Sequence, residues 1–115
     1  MNAQPSLFDP PLHRHAGPTE KRAAKRAHGV SAERRQRILN EAHWMKQYGI
    51  TRAEADELLG TTPNVTQPRL AELGGYGKHD LQMVQTKRTR DGCRIWVALR
   101  YATADEIDPH IRKVA

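Results

Sequence analysis

Apolar residues recur along this chain with two periods, three or four apart between 31 and 73 and two apart after 81, which predicts helices followed by strands. From Ser31 to about Tyr48, Ile38, Ala42 and Met45 make one inner stripe with Leu39 alongside. An amphipathic helix is expected there, capped by Ser31, carrying Glu33 in its first turn and stopped by Gly49. Trp44 and Tyr48, four apart, are expected to flank its core-facing side.

Two more helix starts follow. Thr51 and Glu54 form a T-x-x-E capping box, after which Ala55, Leu58 and Leu59 give a narrow apolar stripe ended by Gly60. Thr62-Pro63 is a capping residue followed by proline where a missing N–H does no harm. Thr66, Leu70 and Leu73 then share a face, leaving Asn64, Val65, Gln67 and Arg69 to look elsewhere. Pro68 lacks the N–H that would bond four residues back, so the regular helix is expected to begin only near Thr66.

Gly74 and Gly75 release the chain into an alternating segment, Leu81 to Thr86. Asp91-Gly92, between Arg90 and Cys93, sits at the centre of a two-residue hairpin turn. That turn sets Thr86 opposite Val97, Val84 opposite Leu99 and Arg88 opposite Ile95, a mostly apolar face expected to cover the helices. Trp96 falls on the other face, half covered by long basic side chains. Thr103 to Ala115, with Pro109 inside it, is expected to be a tail with one turn of helix at most.

The fold class is therefore mainly α with a small β-hairpin. The run PNVTQPRLAEL, Pro63 to Leu73, resembles the recognition helix of winged helix-turn-helix proteins, especially small phage and prophage ones with a P-R-L-A-E-L segment. The likeness extends over roughly Ser31 to Ala102, where helix, helix, recognition helix and wing come in the expected order. It implies a three-helix core plus wing, and a double-stranded DNA partner bound as a transcription or replication regulator. This chain has Val65-Thr66 where those proteins usually carry threonine and then a branched apolar residue, so the resemblance does not carry over which of the two is buried and which meets DNA. With the helix in the major groove, Asn64, Gln67 and Arg69 are the side chains able to read base edges, and Val65 could meet a thymine methyl. Lys87, Arg88, Arg90 and Arg94 crowd the hairpin tip, where a wing meets phosphates.

Charge sharpens this picture: 19 Lys and Arg against 13 Asp and Glu, a net +6, favour a polyanionic partner. The 115 residues divide into a tail over 1–18, a basic arm over 19–30, the winged domain over 31–102 and a C-terminal tail over 103–115. In the arm, Lys21, Arg22, Lys25 and Arg26 suit a short helix stopped by Gly29, either a solvated face or a phosphate contact. In the first tail, Gln4-Pro5-Ser6-Leu7-Phe8 resembles the peptide by which many bacterial proteins dock on the replicative sliding clamp. Leu7 and Phe8 would fill an apolar pocket and Gln4 would bond at its rim, which makes a clamp-docking adaptor the alternative function; the plain alternative is two apolar residues tucked on the chain's own surface.

Other chemistries have little to stand on. The carboxylates of Glu54, Asp56 and Glu57 suit capping and solvation, the six histidines lack metal-ligand spacing, and no phosphate loop occurs. The expectation is a non-enzyme without metal or cofactor. Cys93, the sole cysteine, permits no intrachain disulfide. No apolar run reaches membrane-spanning length and no secretory signal is visible, so the expected location is cytoplasmic. Monomer and homodimer remain alternatives.

Overall fold

The structure, a computed structural model, describes residues 20–114, with side chains from Gly29 onward. Seven elements follow in order: α1 (Glu20–Met45), β1 (Ile50–Thr51), α2 (Arg52–Leu59), α3 (Pro63–Leu73), β2 (Met83–Arg90), β3 (Cys93–Ala98) and α4 (Ala104–Val114). Short 3-10 turns, Lys46–Tyr48 and Leu99–Tyr101, follow α1 and β3. Residues 31–114 pack as one unit.

The predicted helical stripes supply most of the core, although Met45, expected on the inner stripe, stays only half-buried and Leu58 and Leu59 pack against the core half-buried. Ile38, Ala42, Ala55, Leu70 and Leu73 lose nearly all exposure and meet Met83, Trp96 and Ala98 from the sheet. Each such leucine or isoleucine contributes about 1.5–3 kcal/mol by leaving water. The capping box forms as expected: Glu54 N–H donates to Thr51 Oγ1 at 3.2 Å, and Thr51 N–H donates to Glu54 Oε1 at 3.0 Å. Gly60 closes α2 in the left-handed region, φ 63°, where a side chain would be strained.

Several local expectations are corrected. Gly29 and Ser31 lie inside α1, which neither stops nor restarts between arm and domain. Ser31 caps nothing; its hydroxyl accepts from Arg69 Nη1 at 2.6 Å. Helix α3 begins at Pro63 and runs through Pro68, because the missing N–H removes only the bond to the Asn64 carbonyl, near the end where that carbonyl can meet water. Thr62 has the extended backbone of a cap but makes no side-chain cap bond. Trp44 and Tyr48 do not flank the core: they are 78% and 65% exposed, since Ile38, Leu39 and Ala42 already fill the inner side of α1.

The sheet has strand order β1-β3-β2, antiparallel throughout. The Asp91-Gly92 turn forms, with Arg90 opposite Cys93 and Thr89 opposite Arg94. Beyond it the register departs from expectation, placing Gln85 opposite Trp96, Val84 opposite Val97 and Met83 opposite Ala98. The shift occurs where Thr86, Lys87 and Arg88 bulge opposite Ile95 alone. Thr86, 1% exposed, replaces the lost ladder bonds: its hydroxyl donates to Ile95 O at 2.8 Å and accepts from Arg88 N–H at 3.1 Å.

The faces of the sheet are also exchanged relative to expectation. Trp96, with Met83 and Ala98, packs on the helices, while Val84, Ile95 and Val97 form a second cluster covered by Leu99, Ala102 and Ile107. Covering that face is the work of α4, eleven residues of helix where a fraying tail was expected. His110 pins it, and its two ring nitrogens fix one neutral tautomer. Nδ1 accepts from Gln85 N–H at 3.1 Å and Nε2 donates to Gly74 O at 2.8 Å, while the ring meets Trp96 edge-on. No helix among the described residues is long and apolar enough to cross a membrane.

Candidate nucleic-acid interface

Helix α3 is fixed from within by Thr66, Leu70 and Leu73, all buried, as their spacing predicts. Thr66 is the inner residue, its hydroxyl bonded to Thr62 O at 3.3 Å, and Val65 is half-buried. Asn64 and Gln67 are exposed. Their amides each offer a donor and an acceptor side by side, the pattern that matches an adenine edge.

Arg69 does not share that outward position. Its Nη2 donates to Glu72 Oε2 at 2.9 Å, its Nε lies 2.8 Å from Glu72 Oε1, and its Nη1 donates to Ser31. Arg35 from α1 donates to the same carboxylate at 2.7 Å. One glutamate thus holds two guanidiniums and ties α3 to α1. Burial alone would raise the Glu72 carboxyl, but the hydrogen bonds and charges of Arg35 and Arg69 outweigh it and hold it below the usual carboxylate range. Arg69 is thus engaged with Glu72 and Ser31, unlike the exposed Asn64 and Gln67.

The four hairpin cations divide in the same way. Arg90 donates from Nε and Nη2 to both oxygens of Glu54, and also to the carbonyls of Tyr48 and Gly49 at 3.0 and 3.1 Å. With four of its five N–H donors engaged, it serves as a clasp between the hairpin tip and α2. The Arg90 bond holds the Glu54 carboxyl below its ordinary value, and Glu54 in turn raises Arg90. Arg88 pairs with Glu106 of α4, Nε to Oε2 at 2.9 Å.

Lys87 and Arg94 are exposed and take part in no ion pair among the described residues. Near the turn, Arg94 lies opposite Thr89 and Arg90 opposite Cys93. Asn64, Gln67, Lys87 and Arg94 thus remain as outward polar groups, with Val65 beside them on α3.

Glu72, Glu54 and Glu106, each holding one or two arginines, were not singled out from the sequence as partners. Only Arg69–Glu72, three apart on one helix, carried a local signal; the other pairs join residues 18 to 37 positions apart. Gln4, Leu7 and Phe8 lie outside the described residues, as do the side chains of Lys21, Arg22, Lys25 and Arg26, whose backbone belongs to α1. No family model matches the chain, and neither a curated protein nor a solved structure does so.

Proposed function

We propose that the chain is a DNA-binding protein of the winged-helix class, regulating transcription or replication from a phage or bacterial genome. The observation that carries this reading is the arrangement of α2, a Gly60 turn and α3, followed by a hairpin whose β3 also pairs with β1. Helix α3 is anchored on one side and presents the amides of Asn64 and Gln67 on the other. A recognition helix needs both features, a rigid seat and outward groups that can be donor and acceptor at once.

In this reading α3 enters the major groove, Asn64 and Gln67 read adenine edges, and Val65 touches a thymine methyl. Lys87 and Arg94 hold phosphates from the hairpin, with the basic arm, Lys21, Arg22, Lys25 and Arg26, adding sequence-independent affinity. The net charge of +6 supports a polyanionic partner.

A mobility-shift titration against salt on a random-sequence duplex tests the wing. Each phosphate contact contributes about 0.9 to the slope of log affinity against log salt. Lys87→Ala with Arg94→Ala should flatten that slope by about 2. An unchanged slope would remove the hairpin from the interface.

A further inference from the structure

Glu72 gathers cationic side chains from α1, from α3 and from the loop after α3 at one point. Its Oε1 accepts from Arg35 Nη1 at 2.7 Å and lies 2.8 Å from Arg69 Nε. Its Oε2 accepts from Arg69 Nη2 at 2.9 Å and lies 3.9 Å from His79 Nε2. Two guanidiniums against one carboxylate leave an excess of positive charge. Glu33 and Arg34, beside the cluster on α1, offset one another, as do Lys78 and Asp80 on either side of His79, so the excess stands. The side chains of Arg35, Arg69 and Glu72 are 15%, 17% and 20% exposed. Water screens such charges only in part, while an edge of each guanidinium stays within reach of a ligand.

The geometry of α3 and of Arg35 gives this charge a use. Val65, Arg69 and Glu72, four and then three apart, form a line along α3 next to the outward line of Asn64, Gln67 and Ala71, with exposed Pro68 between the two. A strand lying along the outward line therefore passes the cluster. Among the described residues Arg35 bonds through Nη1 alone, which leaves its Nε and Nη2 donors open. That edge is a fork of two parallel N–H groups and matches two oxygens of a phosphate. In Arg90 the same edge is already closed by Glu54.

We infer that the Arg35–Arg69 pair around Glu72 is a phosphate seat, in which the Nε and Nη2 edge of Arg35 holds a phosphate of the DNA strand that runs beside α3. The inference rests on the reading that places α3 in the major groove, and it adds a backbone contact on the helix itself to those of the hairpin. Glu72 holds the two guanidiniums in place and at the same time opposes the incoming phosphate. A free phosphate ion presents the same oxygens, and the test separates the two sources.

The test uses the full chain, a random-sequence duplex and inorganic phosphate. NMR follows the Nε–H signals of Arg35 and Arg69, and a mobility shift against salt gives affinity. The duplex should move the Arg35 signal, and Arg35→Gln should lower the salt slope by about 0.9. Arg35→Lys, which keeps the charge and loses the fork, should keep the slope and weaken binding about threefold. Glu72→Gln should tighten binding to the random duplex about threefold by removing the opposing charge, whereas a network that only supports the fold would weaken it. Asp108→Asn makes the same change of charge at an exposed position on α4 and should leave affinity unchanged. A parental slope in Arg35→Gln, weaker binding by Glu72→Gln, or equal tightening by Asp108→Asn overturns the seat. An Arg35 signal that inorganic phosphate saturates and the duplex leaves in place overturns the strand as its source. Base preference measured in parallel keeps the two readings apart. A parent protein that selects a defined site while Arg35→Gln keeps the parental slope removes the seat and leaves α3 as the reader; a lowered slope in Arg35→Gln with no site selected by the parent keeps the seat and removes base reading.

Discussion

Arg90 donates to both carboxylate oxygens of Glu54, at 2.8 and 2.7 Å, and that same carboxylate accepts from Thr51 N–H at 3.0 Å to close the cap of α2. A local helix-start signal is thereby coupled to the hairpin tip 36 residues away. The arrangement explains why the hairpin keeps a fixed relation to the helices although Glu54 and Arg90 are both partly exposed. A fork of two parallel bonds holds direction as well as distance, which a lysine cannot do.

Arg90→Ala should therefore lower stability by about 1–2 kcal/mol, above the value of an ordinary surface pair because two carbonyls lose a donor as well. Arg90→Lys should recover less than half of that loss in urea denaturation. Its effect on the salt slope of DNA binding should be small, since the side chain already has four partners. A slope reduced by a full phosphate contact would return Arg90 to the interface.

Thr86→Val keeps shape and burial but removes the hydroxyl that donates to Ile95 O and accepts from Arg88 N–H. With buried backbone groups left unpaired, the expected cost is about 1–3 kcal/mol. Denaturation midpoints with unchanged m-values would show it, and a neutral outcome would mean the bulge is held by something other than this side chain.

The Glu72 carboxyl, lowered from an ordinary 4.5 by Arg35 and Arg69 against the opposing effect of burial, makes stability depend on pH. A group with a lowered folded-state value binds its proton more readily in the unfolded chain, so its contribution is complete above about 4.5 and is lost as pH falls through the lowered value. Glu54 and Glu106, lowered too, act in the same direction. Glu72→Gln should be less stable at neutral pH and should lose less on acidification below 4.5 than the parent. Parallel melting curves from pH 6 to pH 3 decide this; identical acid slopes for the two proteins would contradict the assignment.

Features written in neighbouring residues were legible from the sequence. The Thr51–Glu54 box, the Gly60 stop, the Asp91-Gly92 turn and the buried set Thr66, Leu70, Leu73 each depend on contacts within a few positions. The register was not legible, because nothing local distinguishes Thr86 as a residue that will bond Ile95 O and open a bulge. Arg69, Arg88 and Arg90 looked like free cations for the same reason: apart from Glu72 for Arg69, their acceptors lie far along the chain. Helix α4 carries a stripe that the expectation of a tail overlooks. Ile107, His110, Ile111 and Val114 recur at i, i+3, i+4 and i+7, but the acidic start and Pro109 masked the stripe. Pro109 falls early enough in α4 that its absent N–H breaks only one bond near the helix start.

The claim on which the account rests is that α3 reads bases through Asn64 and Gln67, and selection of bound duplexes from a random pool tests it most directly. The parent protein should enrich a defined site, and Gln67→Ala should relax the preference at one position by about 1–3 kcal/mol while leaving the salt slope intact. No enrichment by the parent, or an identical preference in Gln67→Ala and Asn64→Ala, would contradict it.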